Sequence, residues 1–292
     1  MPGTELHHTT FNGDSWSTPQ PVEGRLTTHP PGLAGFSPGE GEALYCAFTD
    51  KARHLAWTRT ADEAEWETTR TDDDATASSD GNFALAAYPL SDGEPGLYAV
   101  YCDDGGTWQR LTSDDGLTWS DPKKFTGLQP PAYRIAAAVY RDKLIVASTT
   151  ADGGHLQAAV FDGTTWKPMK GLEPFIGDAY SVSLAVFNEK LYCVRGASGS
   201  SETMLTTFYD GTDWSADRKF TPPGGISAPS IGLIQENQLV CVYSDDDRHL
   251  RYALSEDGEY WDAPVLLHQG GKATGTAALL HFKTKLHCLY PA

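Results

Sequence analysis

Six tryptophans recur at nearly equal intervals along the chain, and each follows a short turn signal. Asn12-Gly13 leads to Trp16, Asp115-Gly116 to Trp119, Asp162-Gly163 to Trp166, Asp210-Gly211 to Trp214 and Asp257-Gly258 to Trp261. A sixth copy is degraded, with Asp62-Glu63 leading to Trp66. The intervals are 50, 53, 47, 48 and 47 residues. A second marker runs in phase. Leu44, Leu97, Leu144, Leu191, Leu239 and Leu286 each open a short apolar run, and two residues later stand Cys46, Ala99, Val146, Cys193, Cys241 and Cys288. Two markers with one shared period define a repeated supersecondary unit, which excludes most ways of folding 292 residues.

Each unit reads as four strands. In the third, an inner strand at 135–140 is followed by the turn Arg141-Asp142-Lys143, a second strand at 144–148, a third at 156–161, and an outer strand that begins at Trp166 after Asp162-Gly163. Four short antiparallel strands in a repeat of about 40–50 residues predict a propeller blade. The expected fold is all-β, a six-bladed β-propeller of four antiparallel strands per blade, with residues 1–292 as a single domain. The last unit supplies only two strands, at 276–282 and 285–290, and residues 5–10 and 16–22 supply the other two. Sharing one blade between the N-terminal and C-terminal strands closes the ring and leaves no sheet edge exposed.

Composition agrees. Eighteen Pro and 29 Gly suit many turns, and 8 Trp with 13 Tyr suit strands. No sustained three-to-four apolar period predicts a helix. The net charge of −17 repels phosphate backbones and anionic lipid, so neither nucleic acid nor membrane is an expected partner. No apolar run approaches a membrane span or a signal-peptide core, and the five Cys form no C-x-x-C pair. A reducing, cytoplasmic location is the expectation. Four of the cysteines fill one repeated strand position, where Cys acts as a small hydrophobe and no disulfide is expected. Cys102, expected in a loop, is the one candidate for a reactive thiol. Asp72-Asp73-Asp74 and Asp245-Asp246-Asp247 are expected as solvated loops. His54, His155 and His249 belong to different blades and cannot share a metal, so neither metal nor cofactor is predicted. The Asp of each turn is expected to bond backbone N–H groups of its own loop, which stabilises the fold and gives no catalytic aspartate.

Thr112-Ser113-Asp114-Asp115-Gly116-Leu117-Thr118-Trp119 resembles the Asp-box of sialidase-like propellers, Ser/Thr-x-Asp-x-Gly-x-Thr-Trp. The run from Leu184 to Val194 is similar to repeats of bacterial and fungal lectin-like propellers. The resemblance covers all six units. It implies the fold strongly and function weakly, because such propellers include lectins, lectin-like proteins and enzymes. Sialidases of this kind need an arginine triad and an Arg-Ile-Pro motif near the start. Here Tyr133-Arg134-Ile135 is followed by Ala136 and lies in the third unit, so an active sialidase is not expected.

Polar ligands of a propeller are expected on the face opposite the Asp-Gly turns, over the central channel. Chain segments entering inner strands bring His29, Tyr133, Arg134 and Tyr180 there, and second-strand ends bring Tyr101, Arg195 and Tyr243. Mixed aromatics and cations suit a sugar or another small molecule with apolar faces. The favoured function is a lectin-like propeller that binds carbohydrate or a small ligand without catalysis. Aromatics at Phe48, Tyr101, Tyr243 and Tyr290, one position in four blades, favour repeated lectin sites. The divergent loops leave open a single-site enzyme acting on a small metabolite, of cyclase or lyase type, and a protein-binding platform.

Overall fold

The computed structural model describes residues 4–27, 29–39, 41–78, 81–90, 92–150, 155–170, 179–197, 203–222, 227–235, 237–268 and 272–292. The chain opens with β1 (Thr4–Phe11) and β2 (Gln20–Thr27). Blade one is β3 (Gly32–Phe36), β4 (Ala43–Thr49), β5 (His54–Thr60) and β6 (Arg70–Thr76). Blade two is β7 (Ala84–Ala87), β8 (Leu97–Cys102), β9 (Trp108–Ser113) and β10 (Lys123–Phe125). Blade three is β11 (Pro131–Tyr140), β12 (Lys143–Thr150), β13 (Leu156–Phe161) and β14 (Trp166–Pro168). Blade four is β15 (Ala179–Phe187), β16 (Lys190–Ala197), β17 (Thr203–Tyr209) and β18 (Arg218–Phe220). Blade five is β19 (Ser227–Ile234), β20 (Gln238–Ser244), β21 (Leu250–Ser255) and β22 (Val265–Leu266). β23 (Ala278–Phe282) and β24 (Lys285–Pro291) end the chain.

These strands form six antiparallel four-stranded sheets, and the closing one has the order β2-β1-β24-β23. In it, β1 runs against β24 from Leu6↔Pro291 to Phe11↔Leu286, so the two ends of the chain lock into one blade as expected. The second strand of each blade is covered on both faces by neighbouring blades. Every residue of β4 and β8 is buried, and all six residues of the slot, Cys46, Ala99, Val146, Cys193, Cys241 and Cys288, are 0% exposed. The five cysteines are free thiols. Cys102 lies not in a loop but at the end of β8, buried, and burial pushes its thiol up to about 11. A protonated, enclosed thiol is unreactive, which corrects the expectation for it.

The six turns before the tryptophans share one construction. Asn12, Asp62, Asp115, Asp162, Asp210 and Asp257 each accept, through the side-chain oxygen, the N–H groups two and three residues on, at 2.7–3.0 Å. These donors hold the Asp62, Asp210 and Asp257 carboxyls below the usual range. The tryptophan then packs against a seam between blades: Trp66 on the cluster of Leu6, Val22 and Cys46, Trp119 on that of Tyr45 and Trp57, Trp214 on that of Tyr140 and Ile145. The outer strand of blade three begins at Trp166 as expected, whereas β2 begins at Gln20 and not at Trp16. Trp16 and Trp214 make only single bridges, to Phe11 and Tyr209.

The turn residue after each Asp or Asn touches the preceding blade. Tyr45 of blade one lies on Gly116 of blade two, Arg141 on Gly211, Tyr192 on Gly258 and Gln235 on Gly13. At Gly116 (φ +67) and Gly258 (φ +76) a Cβ would overlap the tyrosine ring, so glycine is needed for the approach as well as for the dihedral. Where the motif is degraded, Glu63 itself adopts φ 67, and its carboxylate reaches Lys285 of the closing blade at 2.9 Å.

Candidate functional site

The inner strands surround a central channel but do not pair with one another. Side chains near their N-terminal ends clamp them instead. Asn82 accepts the Ile135 N–H at 2.8 Å and donates to the Ile135 carbonyl at 3.1 Å; Ser183 accepts the Ile231 N–H at 3.1 Å. Arg134 leaves β11 and crosses the channel, donating to Ser230 Oγ and to the Ala277 carbonyl, each at 3.0 Å. It is 8% exposed, and burial pulls its guanidinium down to about 10. At this level the channel narrows to a cavity of about 60 Å³ lined by Asn82, Arg134 and Ser183 among others. Beyond it, toward the turn face, the channel widens to about 350 Å³ between walls of Leu, Ala, Val and Ile side chains, with His281 the one ionisable group among them. Arg134 therefore enters the channel as expected, but as a crossbar beneath the mouth.

Tyr101, Tyr243 and Arg195 do not reach the mouth. Tyr101 packs on Phe83 with ring centroids 4.9 Å apart, and Tyr243 lies in the cluster of Tyr192 and Cys241. Arg195 is 0% exposed inside β16 and is ion-paired with Asp217. Burial raises the Asp217 carboxyl, and Arg195 opposes that rise. The equivalent position in all six blades, Phe48, Tyr101, Ser148, Arg195, Tyr243 and Tyr290, is buried. It stands two residues beyond the slot and so shares the slot's face. This corrects the reading of that register as a ring of repeated surface sites. His29 is half-buried, with its N–H and carbonyl both bonded to Thr27 Oγ1. Tyr133 and Tyr180 enter β11 and β15, and their side chains lie outside the described residues.

The loops between second and third strands are also built for structure. Asp50 and Asp245 accept the N–H of His54 and His249, at 2.8 and 2.9 Å, and Asp103 accepts that of Thr107 at 2.9 Å. Asp245 also takes the Arg251 Nε at 2.7 Å and is 6% exposed, while Asp72–Asp74 belong to β6. Asp246 and Asp247 form the exposed turn expected from sequence, with Asp245 buried beside it, whereas Asp72–Asp74 are a partly exposed stretch of strand and not the loop expected. Among the described residues no group of three or more His, Cys, Asp or Glu could hold a metal ion.

The turn face carries a site that the sequence reading missed. A groove of about 340 Å³ opens at the seam between blades three and four. Its floor is Ile145, Val160 and Met169, its aromatic walls are Tyr140 and Tyr209, and its rim carries Arg141, Lys143, Lys167 and Lys170. These are four of only 22 lysines and arginines in a chain of net charge −17. Arg141 is fixed by a left-handed backbone (φ 48), lies over the Tyr140 ring at 5.1 Å and rests on Gly211. Lys167 pairs with Asp162 at 3.1 Å; no described carboxylate lies within 4 Å of Arg141, Lys143 or Lys170. Asp210 is near enough for Arg141 to help lower its carboxyl. The tyrosine hydroxyls donate to the Glu189 and Gly211 carbonyls, which pins both rings. No sequence motif marks this groove, because its parts come from a turn, an outer strand and the next blade.

No family model matches the chain, and no curated protein sequence matches it. Among solved structures, it is similar to a fungal fucose-binding lectin of six-bladed propeller fold from Aleuria aurantia, with TM-score 0.71 and 11% identity, over 90% of this chain and 88% of that one. The SapL1 lectin in complex with α-methyl fucoside gives TM-score 0.60 and 15% identity, over 88% and 86%. A Hadza microbial sialidase gives TM-score 0.59 and 16% identity, over 90% of this chain and 63% of that one. At these identities the likeness establishes the propeller fold. No helix among the described residues is long and apolar enough to cross a membrane.

Proposed function

We propose that this protein is a carbohydrate-binding, lectin-like propeller and that a sugar occupies the groove between blades three and four. The observation that carries the reading is the groove's lining: two pinned tyrosine rings beside Arg141, Lys143 and Lys170, none of which has a described carboxylate within 4 Å. Sugars present apolar C–H faces to aromatic rings and hydroxyl or carboxylate oxygens to charged donors. A volume of about 340 Å³ falls at the small end of ligand pockets. The solved lectins that share this fold are described as fucose-binding, which supports the carbohydrate class and makes fucosides the first probes. Binding needs no nucleophile or base, and the groove holds neither in a reactive arrangement.

The test is a glycan array that carries fucosylated, neutral and uronate-containing sugars, probed with the labelled full chain. Binding to at least one class, competed by the free sugar, is expected. A blank array across all classes would overturn the carbohydrate reading.

A further inference from the structure

The central channel is amphipathic. Its narrow, polar section and its wide, apolar section share Leu33, Leu85, Ala137, Leu184 and Leu279 as lining, so they are consecutive parts of one tube. At the polar end, Arg134 is a buried cation with no charged partner among the described residues. No described carboxylate lies within 4 Å of it, burial is the single cause of its lowered pKa, and its Nε–H has no acceptor. The polar groups around it are already committed: Ser230 donates to the Ala277 carbonyl, and Asn82 and Ser183 bind neighbouring backbone. A water molecule could satisfy the Nε–H but would leave the charge uncompensated, and an uncompensated buried charge is strongly unfavourable. Apart from His281 the described wall toward the turn face is apolar, and an apolar cavity holds water poorly and takes up hydrocarbon.

We propose that the channel binds an aliphatic monocarboxylate, the alkyl chain lying between the six inner strands and the carboxylate against Arg134. The two halves of the tube match the two halves of that ligand. A guanidinium with a free Nε–H and further unused N–H groups donates well to a carboxylate. Entry is from the turn face, where Ala87 of β7 is exposed at the wall. This site is separate from the groove between blades three and four, and neither depends on the other.

The experiment is calorimetric titration of the full chain with decanoate below its micellar range, at mildly alkaline pH. Decanol and acetate serve as the uncharged and the chain-less controls. One decanoate per chain is expected, with decanol weaker by at least about tenfold, as expected for loss of one charge-assisted contact, and acetate without measurable binding. Arg134→Met should bring decanoate down to the decanol level. Ala87→Trp, which narrows the entrance without touching Arg134, should abolish uptake of both, and it keeps the test decisive if Arg134→Met does not fold. Absence of decanoate binding, equal binding of decanol or acetate, or uptake unchanged by Ala87→Trp would each overturn the proposal.

Discussion

Two seams of the same ring use their polar groups in opposite ways. Where the closing blade meets blade one, polar side chains pair with one another, although the buried His287 Nε2 finds no hydrogen-bond partner among the described residues. His8 and His287 are hydrogen-bonded at 2.9 Å with rings stacked 5.1 Å apart, Trp66 stands edge-on to His8, and Glu63 joins Lys285. Where blade three meets blade four, the equivalent space is hollow, and its cations face solvent beside two tyrosines. The frame is the same at both: an Asp-headed turn of one blade pressed on the second-strand side of the blade before. What differs is the residue that follows the Asp, Glu63 in one and Gly211 in the other. Glu63 reaches across and fills its seam with charge. Gly211 leaves room for Arg141 to lie over it, and the seam stays open as a groove.

The largest effect should come from removing the closing seam altogether. Deletion of residues 1–22 strips β1 from β24 and leaves a bare edge, so aggregation or loss of the cooperative melt is expected. A truncated chain that melts like the full one would contradict closure by strand sharing. Next are the turns. Gly258→Val combines a left-handed dihedral with overlap on the Tyr192 ring, and should cost about 3 kcal/mol in chemical denaturation. Glu63→Gly relieves a positive φ but gives up an ion pair whose Lys285 end stays solvated, so its effect should stay within about 1 kcal/mol. Equal costs for the two would remove the distinction between a turn that needs glycine and one that tolerates a side chain. Arg195→Ala leaves Asp217 without its partner and should cost about 3 kcal/mol, measured the same way.

The histidine pair makes the closing seam acid-sensitive. Burial, together with the mutual repulsion that two charged rings would feel, lowers His8 to about 3; burial, with Lys285 and other nearby cations, lowers His287 to about 4. Glu63 opposes this shift at His8, while His281, Lys283 and Lys285 reinforce it at one ring or the other. Both folded-state values lie below the unfolded value of 6.5. The unfolded chain therefore takes up protons first, and stability is lost as the pH falls from about 6.5 through the two folded values. The loss between pH 6.5 and 4 should be about 3 kcal/mol for each ring, on the order of 5 kcal/mol for the pair. His287→Leu should flatten that part of the pH–stability curve; an unchanged slope would assign the acid sensitivity to carboxylates elsewhere.

The frame of this molecule was legible in the sequence because its markers repeat. The Asp-Gly turns, the tryptophans and the buried slot each recur in phase, and period-two alternation shows why Cys46 and its equivalents are inside. The same alternation places Tyr101, Arg195 and Tyr243 inside as well, two residues beyond the slot, and reading them as loop-end ligands set that geometry aside. Arg134 could be placed at an inner strand but not as a crossbar, because its partners, Ser230 and Ala277, lie two and three blades away. The groove was invisible for a similar reason: Lys143, Lys170 and Tyr209 carry no spacing in common and meet only once the blades are in place.

The open seam is where the functional account can be broken most directly. Calorimetric titration of the strongest-binding array glycan into the wild-type chain and into Arg141→Ala, with a thermal melt of each, tests it. Arg141 is exposed, so its loss should change stability by less than about 0.5 kcal/mol, while removing a charge-assisted contact should weaken sugar binding by about tenfold or more. One sugar per chain is the predicted stoichiometry, because the lining of aromatic rings and unpaired cations is described for this seam. Several equivalent sugars per chain, or an affinity unchanged in Arg141→Ala at unchanged stability, would contradict it.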